Sequence, residues 1–307
     1  MSAVLRIGTR GSRLALAQSE WVRRHLEGAH PGLRAELVVI KTSGDRIRDV
    51  PLYTLGGKGL FVKELESALS EGSIDCAVHS LKDLPGELAP GLIVAAVPER
   101  EDPRDVVVTR APGGLGALAP GARAGTSSPR RAALLRAMQP SLAVVNLRGN
   151  VDTRLAKLER GEVDALVLAA AGLHRLGLTP PHAEPCDPHD FVPAIGQGAL
   201  ALEARPGPLA DQLAVIEHRA SRQAIDAERA FLTTVGGTCV TPLAAYAAIA
   251  NGRLSLRALI AHPDGTRMVR GEEAGAAGDA TRIGRALGER LLGQGGAELL
   301  RELGLPG

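Results

Sequence analysis

Aromatic side chains are nearly missing from this 307-residue chain: one Trp, two Tyr and three Phe make up 2% of it. So few rings leave little to stack on bases, and a net charge of +2 gives no general pull toward a polyanion, so no nucleic-acid partner is expected. Cysteine is scarce too. Cys76, Cys186 and Cys239 stand far apart with no metal-ligand spacing, which argues against a disulfide framework and a zinc site and leaves only individual roles for a thiol. No apolar run approaches the length that spans a bilayer, and Met1 to Arg6 enters a strand without a basic and apolar leader; a cytoplasmic protein with no membrane partner is expected. What the chain does have is 45% hydrophobic content over a length sufficient for two or three domains.

Its organising stretch is Asp75 to Pro85, where an apolar strand-like run over Ile74 to Val78 stops at His79-Ser80-Leu81-Lys82-Asp83. In open α/β sheets ligands bind beyond the carboxyl ends of strands, so these polar residues point where a substrate lies. Asp83, beside Lys82 and held in a short turn by Pro85 and Gly86, is placed to stabilise positive charge on a bound molecule. Read alone, the same pair serves as a helix cap or a surface ion pair. Strands are predicted over Leu5 to Thr9, Glu36 to Lys41 and Leu92 to Val97, with an amphipathic helix carrying Leu14, Ala17, Val22 and Leu26. Arg10 and Ser12 sit at the first strand-to-helix turn, where free backbone N–H groups favour an anion, although Ser12 also suits a plain N-cap. Gly56-Gly57-Lys58-Gly59 lacks the Walker spacing, and Arg46 to Lys58 reads instead as a mobile loop into a helix over Leu60 to Ser70, with Lys58 and Phe61 toward the cleft.

Pro98 to Asp105 breaks the pattern with charge and two prolines, marking a crossover into a second α/β unit. That unit has strands near Val106 to Thr109, Ala143 to Leu147 and Ala165 to Ala169, and helices over Pro129 to Met138 and Val151 to Arg160. From Arg123 to Arg154 it carries six arginines, no lysine and a single acid, Asp152. Gly125 to Arg131 reads as strand, cap at Ser128, proline at the first helical position, then Arg130 and Arg131. Two guanidinium groups in a first turn oppose the helix dipole and so suggest a ligand with several negative groups. Leu147 to Arg154 repeats the device with Arg148, an Asn150 cap and Arg154, and Arg175 completes the set. Guanidinium forks hold carboxylates bidentately, which lysine cannot do; the alternative is a solvated basic face. Pro193 to Gly198 reads as the return crossover before a strand over Ala199 to Glu203. The final third gives a helix over Ser221 to Val235, strands over Leu243 to Ile249, Arg253 to Ile260 and Met268 to Glu273, and a helix over Asp279 to Gly293. Its entrance, Val235 to Pro242, presents Cys239 on a glycine-rich loop, either as a nucleophile that anchors an electrophile or as a small buried filler.

Taken in order, Arg6 to Ser12, Gly56 to Glu64, His79 to Asp83, Glu101 to Asp105, Gly125 to Arg131, Leu147 to Arg154, Ala171 to Leu178, Ala194 to Gly198 and Glu228 through Cys239 to Pro242 resemble porphobilinogen deaminase, also called hydroxymethylbilane synthase. The resemblance implies an enzyme that joins four molecules of porphobilinogen head to tail with loss of ammonia and releases hydroxymethylbilane to water. It implies a dipyrromethane cofactor attached by a thioether to Cys239, and Asp83 as the catalytic carboxylate that contacts pyrrole nitrogens. By the same resemblance Lys82, Ser128, Arg130 and Arg131 bind the cofactor, and Arg10, Ser12, Arg148, Arg154 and Arg175 bind acetate and propionate groups of substrate. Thr238 and Pro129 depart from the family pattern, which has Gly, Ser or Ala and an apolar residue there; both are expected to be tolerated. The expected fold is α/β, with two doubly wound, periplasmic-binding-protein-like lobes joined by two crossovers, plus a small C-terminal α+β domain with a three-stranded antiparallel sheet. Residues 1–98 and 197–217 form the first lobe, 103–193 the second and 219–307 the cofactor-anchoring domain of a monomer. The rival reading is a noncatalytic two-lobed anion-binding protein, against which Cys239 and the third domain argue.

Overall fold

The computed structural model describes residues 4–42, 62–237 and 241–305. The expectations for the Arg46 to Lys58 loop, Lys58, Phe61, Thr238 and Cys239 lie outside the described residues. The first sheet is built from β1 (Leu5–Thr9), β2 (Ala35–Val39), β3 (Cys76–Ser80), β4 (Ile93–Ala96) and β10 (Leu200–Ala204), in the order β2-β1-β3-β10-β4. β1, β2 and β3 run parallel, and β10 lies antiparallel between β3 and β4. The second sheet takes β5 (Asp105–Thr109), β6 (Arg123–Gly125), β7 (Ala143–Val145), β8 (Ala165–Ala169) and β9 (Ala183–Pro185) in the order β7-β6-β8-β5-β9, with β5 antiparallel to both neighbours. Each sheet thus contains one reversed strand delivered by a chain crossing from the other lobe. The two crossings touch: Gly198 has φ +88°, and a Cβ there would stand 2.3 Å from the Glu101 carbonyl oxygen.

Helices cover the sheets as the apolar spacing requires. α1 (Arg13–Ala29) and α2 (Lys63–Ser70) serve the first lobe, and α3 (Pro129–Met138), α4 (Val151–Glu159) and α5 (Ala170–Arg175) the second. Short α6 (Pro208–Leu213) follows β10 and leads to α7 (Arg219–Val235), which ends at Gly236 in the left-handed region. The C-terminal sheet, β11 (Leu243–Ala250), β12 (Arg253–Ala261) and β13 (Met268–Ala276), is antiparallel throughout, and Asn251-Gly252 makes its first turn with both φ angles positive. α8 (Ala280–Leu291) packs on α7. A break at Gly295 separates α8 from a last helix, α9 (Ala297–Glu302). Leu259 and Ala261 of β12 share a core with Leu134 and Phe191 of the second lobe, while Ile225 of α7 joins Leu81 and Ala201 of the first. The C-terminal unit is therefore wedged against both lobes.

Several expectations shift; β13 runs three residues past the expected Glu273, to Ala276. β2 ends two residues early, because its partner β1 stops at Thr9 opposite Val39. β7 stops at Val145, because β6 turns away into α3 after Gly125. On α1, Val22 and Leu26 are buried as expected, but Gln18 and Ser19 fill the places expected of Leu14 and Ala17. Gln18 exchanges hydrogen bonds with Ser80 at 2.8 and 3.1 Å, and Leu14 is left at the rim of the cleft between the lobes.

Candidate functional site

The polar ends of β1, β3, β6 and β8 converge between the lobes. Ser12 caps α1, its Oγ accepting from the Ala15 N–H at 3.2 Å, and Ser128 caps α3, accepting from the Arg131 N–H at 3.4 Å. The capping reading of Ser12 therefore holds, and the same residue lines a cavity. Asn150 occupies the N-cap position of α4 without the expected side-chain bond; Arg154 Nε donates instead to the Gly149 carbonyl at 2.8 Å. After β3 the chain makes a single 3₁₀ turn, Leu81–Asp83, whose following bend is clamped from α7: Arg229 donates to the carbonyls of Pro85 at 3.0 Å and Gly86 at 2.8 Å.

Two cavities meet at Lys82. The smaller, about 200 Å³, is lined by Arg10, Ser12, Lys82, Arg131, Arg154 and Arg175. The larger, about 610 Å³, is lined by Lys82, Asp83, Ser128 and Arg130, and its far wall includes Gly236, Gly237 and Thr241, the described residues flanking the stretch with Cys239. Asp83 is partly exposed, with Oδ2 4.0 Å from Arg10 Nη1. Arg148 is half-buried and lines neither cavity, but its charge presses on Arg154.

Charges of one sign dominate this cleft. Burial, reinforced by Arg131, pushes the Lys82 ammonium down to about 8. Burial with Arg131 and Arg148 brings Arg154 down to about 10, and burial alone does the same to Arg175 against the pull of Glu101. Crowded, desolvated cations of this kind gain most from an anionic ligand.

Arg130 and Arg131 depart from the open cradle the sequence suggested. Both are buried and grip Asp105, which is fully enclosed: Arg130 Nη1 lies 2.8 Å from Oδ2, and Arg131 Nη2 lies 2.7 Å from Oδ1. Arg130 also donates to the Val192 carbonyl at 2.7 Å and Arg131 to that of Val167 at 2.9 Å. Burial pushes the Asp105 carboxyl up, but the two guanidinium groups overcome this and hold it at about 2. Asp105 was given no role of its own because it belongs to a charged run read as a crossover and as one segment of the family resemblance. Gln197, buried in the return crossover, was also missed; it donates to the Pro103 carbonyl at 2.8 Å and accepts from Lys82 Nζ at 3.4 Å.

The larger cavity suits a small molecule bearing several carboxylates. Lys63, Lys82, Arg130 and Arg229 line it together with the acids Glu66, Asp83 and Glu87, Arg130 Nε is a buried donor without a hydrogen-bond partner, and the glycine-flanked end of α7 forms part of its wall. Among the described residues no helix is long and apolar enough to cross a membrane, and no cluster of His, Cys, Asp or Glu side chains forms a metal site.

A family model described as porphobilinogen deaminase, dipyromethane cofactor binding domain, matches residues 5–210, and one described as porphobilinogen deaminase, C-terminal domain, matches residues 222–293. The porphobilinogen deaminase of Syntrophobacter fumaroxidans is 48% identical over 302 residues, covering 98% of each chain. That of Roseiflexus sp. (strain RS-1) is 51% identical over 302 residues, 98% of this chain and 99% of its own, and that of Syntrophotalea carbinolica is 49% identical over 304 residues, 98% and 96% respectively. With both family models matched in sequence order and such relatives aligned nearly end to end, the chain belongs to the porphobilinogen deaminase family.

Proposed function

We propose that the cleft joins four porphobilinogen molecules head to tail with loss of ammonia and releases hydroxymethylbilane, a step of tetrapyrrole biosynthesis. The observation that carries this reading is the gathering of Lys82, Arg131, Arg154 and Arg175 at one desolvated junction, with Asp83 the carboxylate at its edge. Arg10, Ser12, Arg148, Arg154 and Arg175 hold the acetate and propionate groups of the incoming pyrrole, joined by Arg131, which was expected on the cofactor but lines the smaller cavity. Their forks fix its plane. Asp83 then faces the aminomethyl carbon and the pyrrole N–H, where its negative charge stabilises the cation left as ammonia departs. Lys82, Ser128 and Arg130 hold the dipyrromethane carboxylates, and Cys239 supplies the thioether sulfur. That group, when bound, supplies the pyrrole end to which substrate units are added. Residues 1–98 with 197–217, 103–193 and 219–307 are proposed as the first lobe, second lobe and anchoring domain of a cytoplasmic monomer.

Intact mass and turnover test the reading together. Native protein is expected to exceed its sequence mass by one dipyrromethane and to consume porphobilinogen, whereas Cys239→Ser folds but carries no such adduct. A Cys239→Ser protein with full activity and the native adduct mass moves the anchor to another residue. Native protein without adduct or turnover leaves the anion-binding alternative.

A further inference from the structure

Lys82 lines both cavities, but the neighbouring residues Arg130 and Arg131 part company: Arg130 faces the larger and Arg131 the smaller. Side chains of consecutive helical residues diverge by about 100°, yet both guanidinium groups return to one carboxylate, Asp105. Arg131 Nε donates to Oδ1 at 2.8 Å, Arg130 Nη2 to the same oxygen at 3.1 Å, and the carbonyls of Val192 and Val167 hold each fork from behind. Gln197 extends the arrangement across the lobe junction, donating to the Pro103 carbonyl at 2.8 Å while its side-chain oxygen accepts from Lys82 Nζ at 3.4 Å. One carboxylate and one amide thus touch all three cations that separate the two cavities. The acid is too deeply enclosed to meet a ligand itself.

We propose that Asp105 and Gln197 are positioning residues that divide the cations of the cleft, aiming Arg130 at the cofactor carboxylates and Arg131 at those of the incoming substrate, with Lys82 shared. Three cations against one acid leave a surplus of positive charge facing the two cavities, and the acid fixes where it points. Without it, two guanidinium groups anchored on one helical turn repel each other and lose their common anchor. The carboxylates they hold lie away from the reacting methylene, so the loss falls on binding of substrate and transition state alike and appears in KM more than in kcat. This inference rests on the functional reading above.

The test uses full-length, adduct-bearing protein and two variants, Asp105→Asn and Gln197→Leu. Five quantities are followed: adduct mass, Tm, the rise in Tm caused by porphobilinogen, and KM and kcat per loaded molecule. Asp105→Asn is expected to load incompletely, to raise KM about tenfold or more, to keep kcat within about threefold, and to show a diminished porphobilinogen-induced rise in Tm. A lowered KM would mean that Asp105 merely restrains the charge of the cleft, and it overturns the proposal. So does a lowered Tm with native KM and native ligand-induced rise, which is a purely structural role. If Asp105→Asn does not fold, Gln197→Leu decides, since it keeps the acid: KM raised at least about threefold with kcat retained supports the proposal, and native KM refutes it. The functional reading is judged separately on native protein. Binding of porphobilinogen without turnover removes that reading while the Tm rise still tests the positioning, and absence of both removes the two together.

Discussion

Replacing Glu228 by glutamine should loosen the whole molecule without touching either cavity. Glu228, fully buried on α7, accepts from Arg100 Nη1 at 2.6 Å, from the Gly196 N–H at 2.7 Å and from the Ala247 N–H at 2.8 Å. Those donors belong to the outgoing crossover, the return crossover and the C-terminal sheet, so one carboxylate ties both hinges to the third unit. Arg100 is itself enclosed, donating to the Gln197 carbonyl at 2.8 Å and standing over the Tyr246 ring. Glutamine keeps the shape but turns one acceptor into a donor facing donors, and it strands the buried guanidinium. Breaking such a pair costs about 3–5 kcal/mol, and at roughly 1.5–2 °C per kcal/mol for a chain of this length the melting temperature should fall by roughly 5–10 °C. Thermal unfolding followed by far-ultraviolet circular dichroism, with a urea midpoint at 25 °C, measures it. The double variant Arg100→Met, Glu228→Met should recover only part of the loss, because the N–H groups of Gly196 and Ala247 remain unpaired at about 1–3 kcal/mol each. A Glu228→Gln protein melting within about 2 °C of native would refute the reasoning.

Asp83→Asn should lower kcat by ~10² to 10³, with Asp83→Glu between it and native; a cofactor-loaded amide variant within about twofold of native in steady-state assays removes charge stabilisation from Asp83. Arg148→Lys keeps the charge and loses the fork, so kcat/KM should fall roughly tenfold; unchanged kinetics would exclude it from substrate handling. Lys82 sits at about 8 against an ordinary 10.5, so the folded chain binds fewer protons than the unfolded one between those values. Its destabilising cost, up to about 3 kcal/mol, is therefore fully present below pH 8 and disappears as the pH approaches 10.5. In adduct-free protein Lys82→Met should be more stable than its parent at pH 7 and lose that advantage by pH 10.5; a pH-independent difference in urea midpoint contradicts the burial argument.

Local chemistry was readable because it repeats near in sequence. Strand, small polar turn and capped helix recur at Ser12 and Ser128, and Asn251-Gly252 dictates its hairpin through a backbone preference carried by two residues. Long-range pairing was not. Nothing within Glu101 to Asp105 distinguishes Asp105, destined for the interior, from Asp102, which pairs with Arg104 at the surface. Only the antiparallel placement of β5 between β8 and β9 decides it, and that depends on residues far downstream. Gln197 and Arg229 were invisible for the same reason: each acts on backbone carbonyls whose position only the folded chain defines. The short elements β9, α5 and α9 escaped because three to six residues carry too little periodicity to register.

The reversed strand β10 also bears on how the protein is made. A ribosome delivers β1 to β4 first, then the complete second lobe, and only afterwards residues 200–204, which belong between β3 and β4. Until that segment emerges, β3 and β4 each present an unpaired edge, and the buried face that Leu200, Leu202 and Ala204 share with Leu5 and Val78 stays open. The second lobe has all its strands by Pro185 and can close earlier. Synthesis thus runs in one order and completion in another: the amino-terminal lobe begins first and finishes second. Its open edges make the nascent chain prone to wrong pairing throughout that interval, and a chain cut short before Ala204 keeps them permanently.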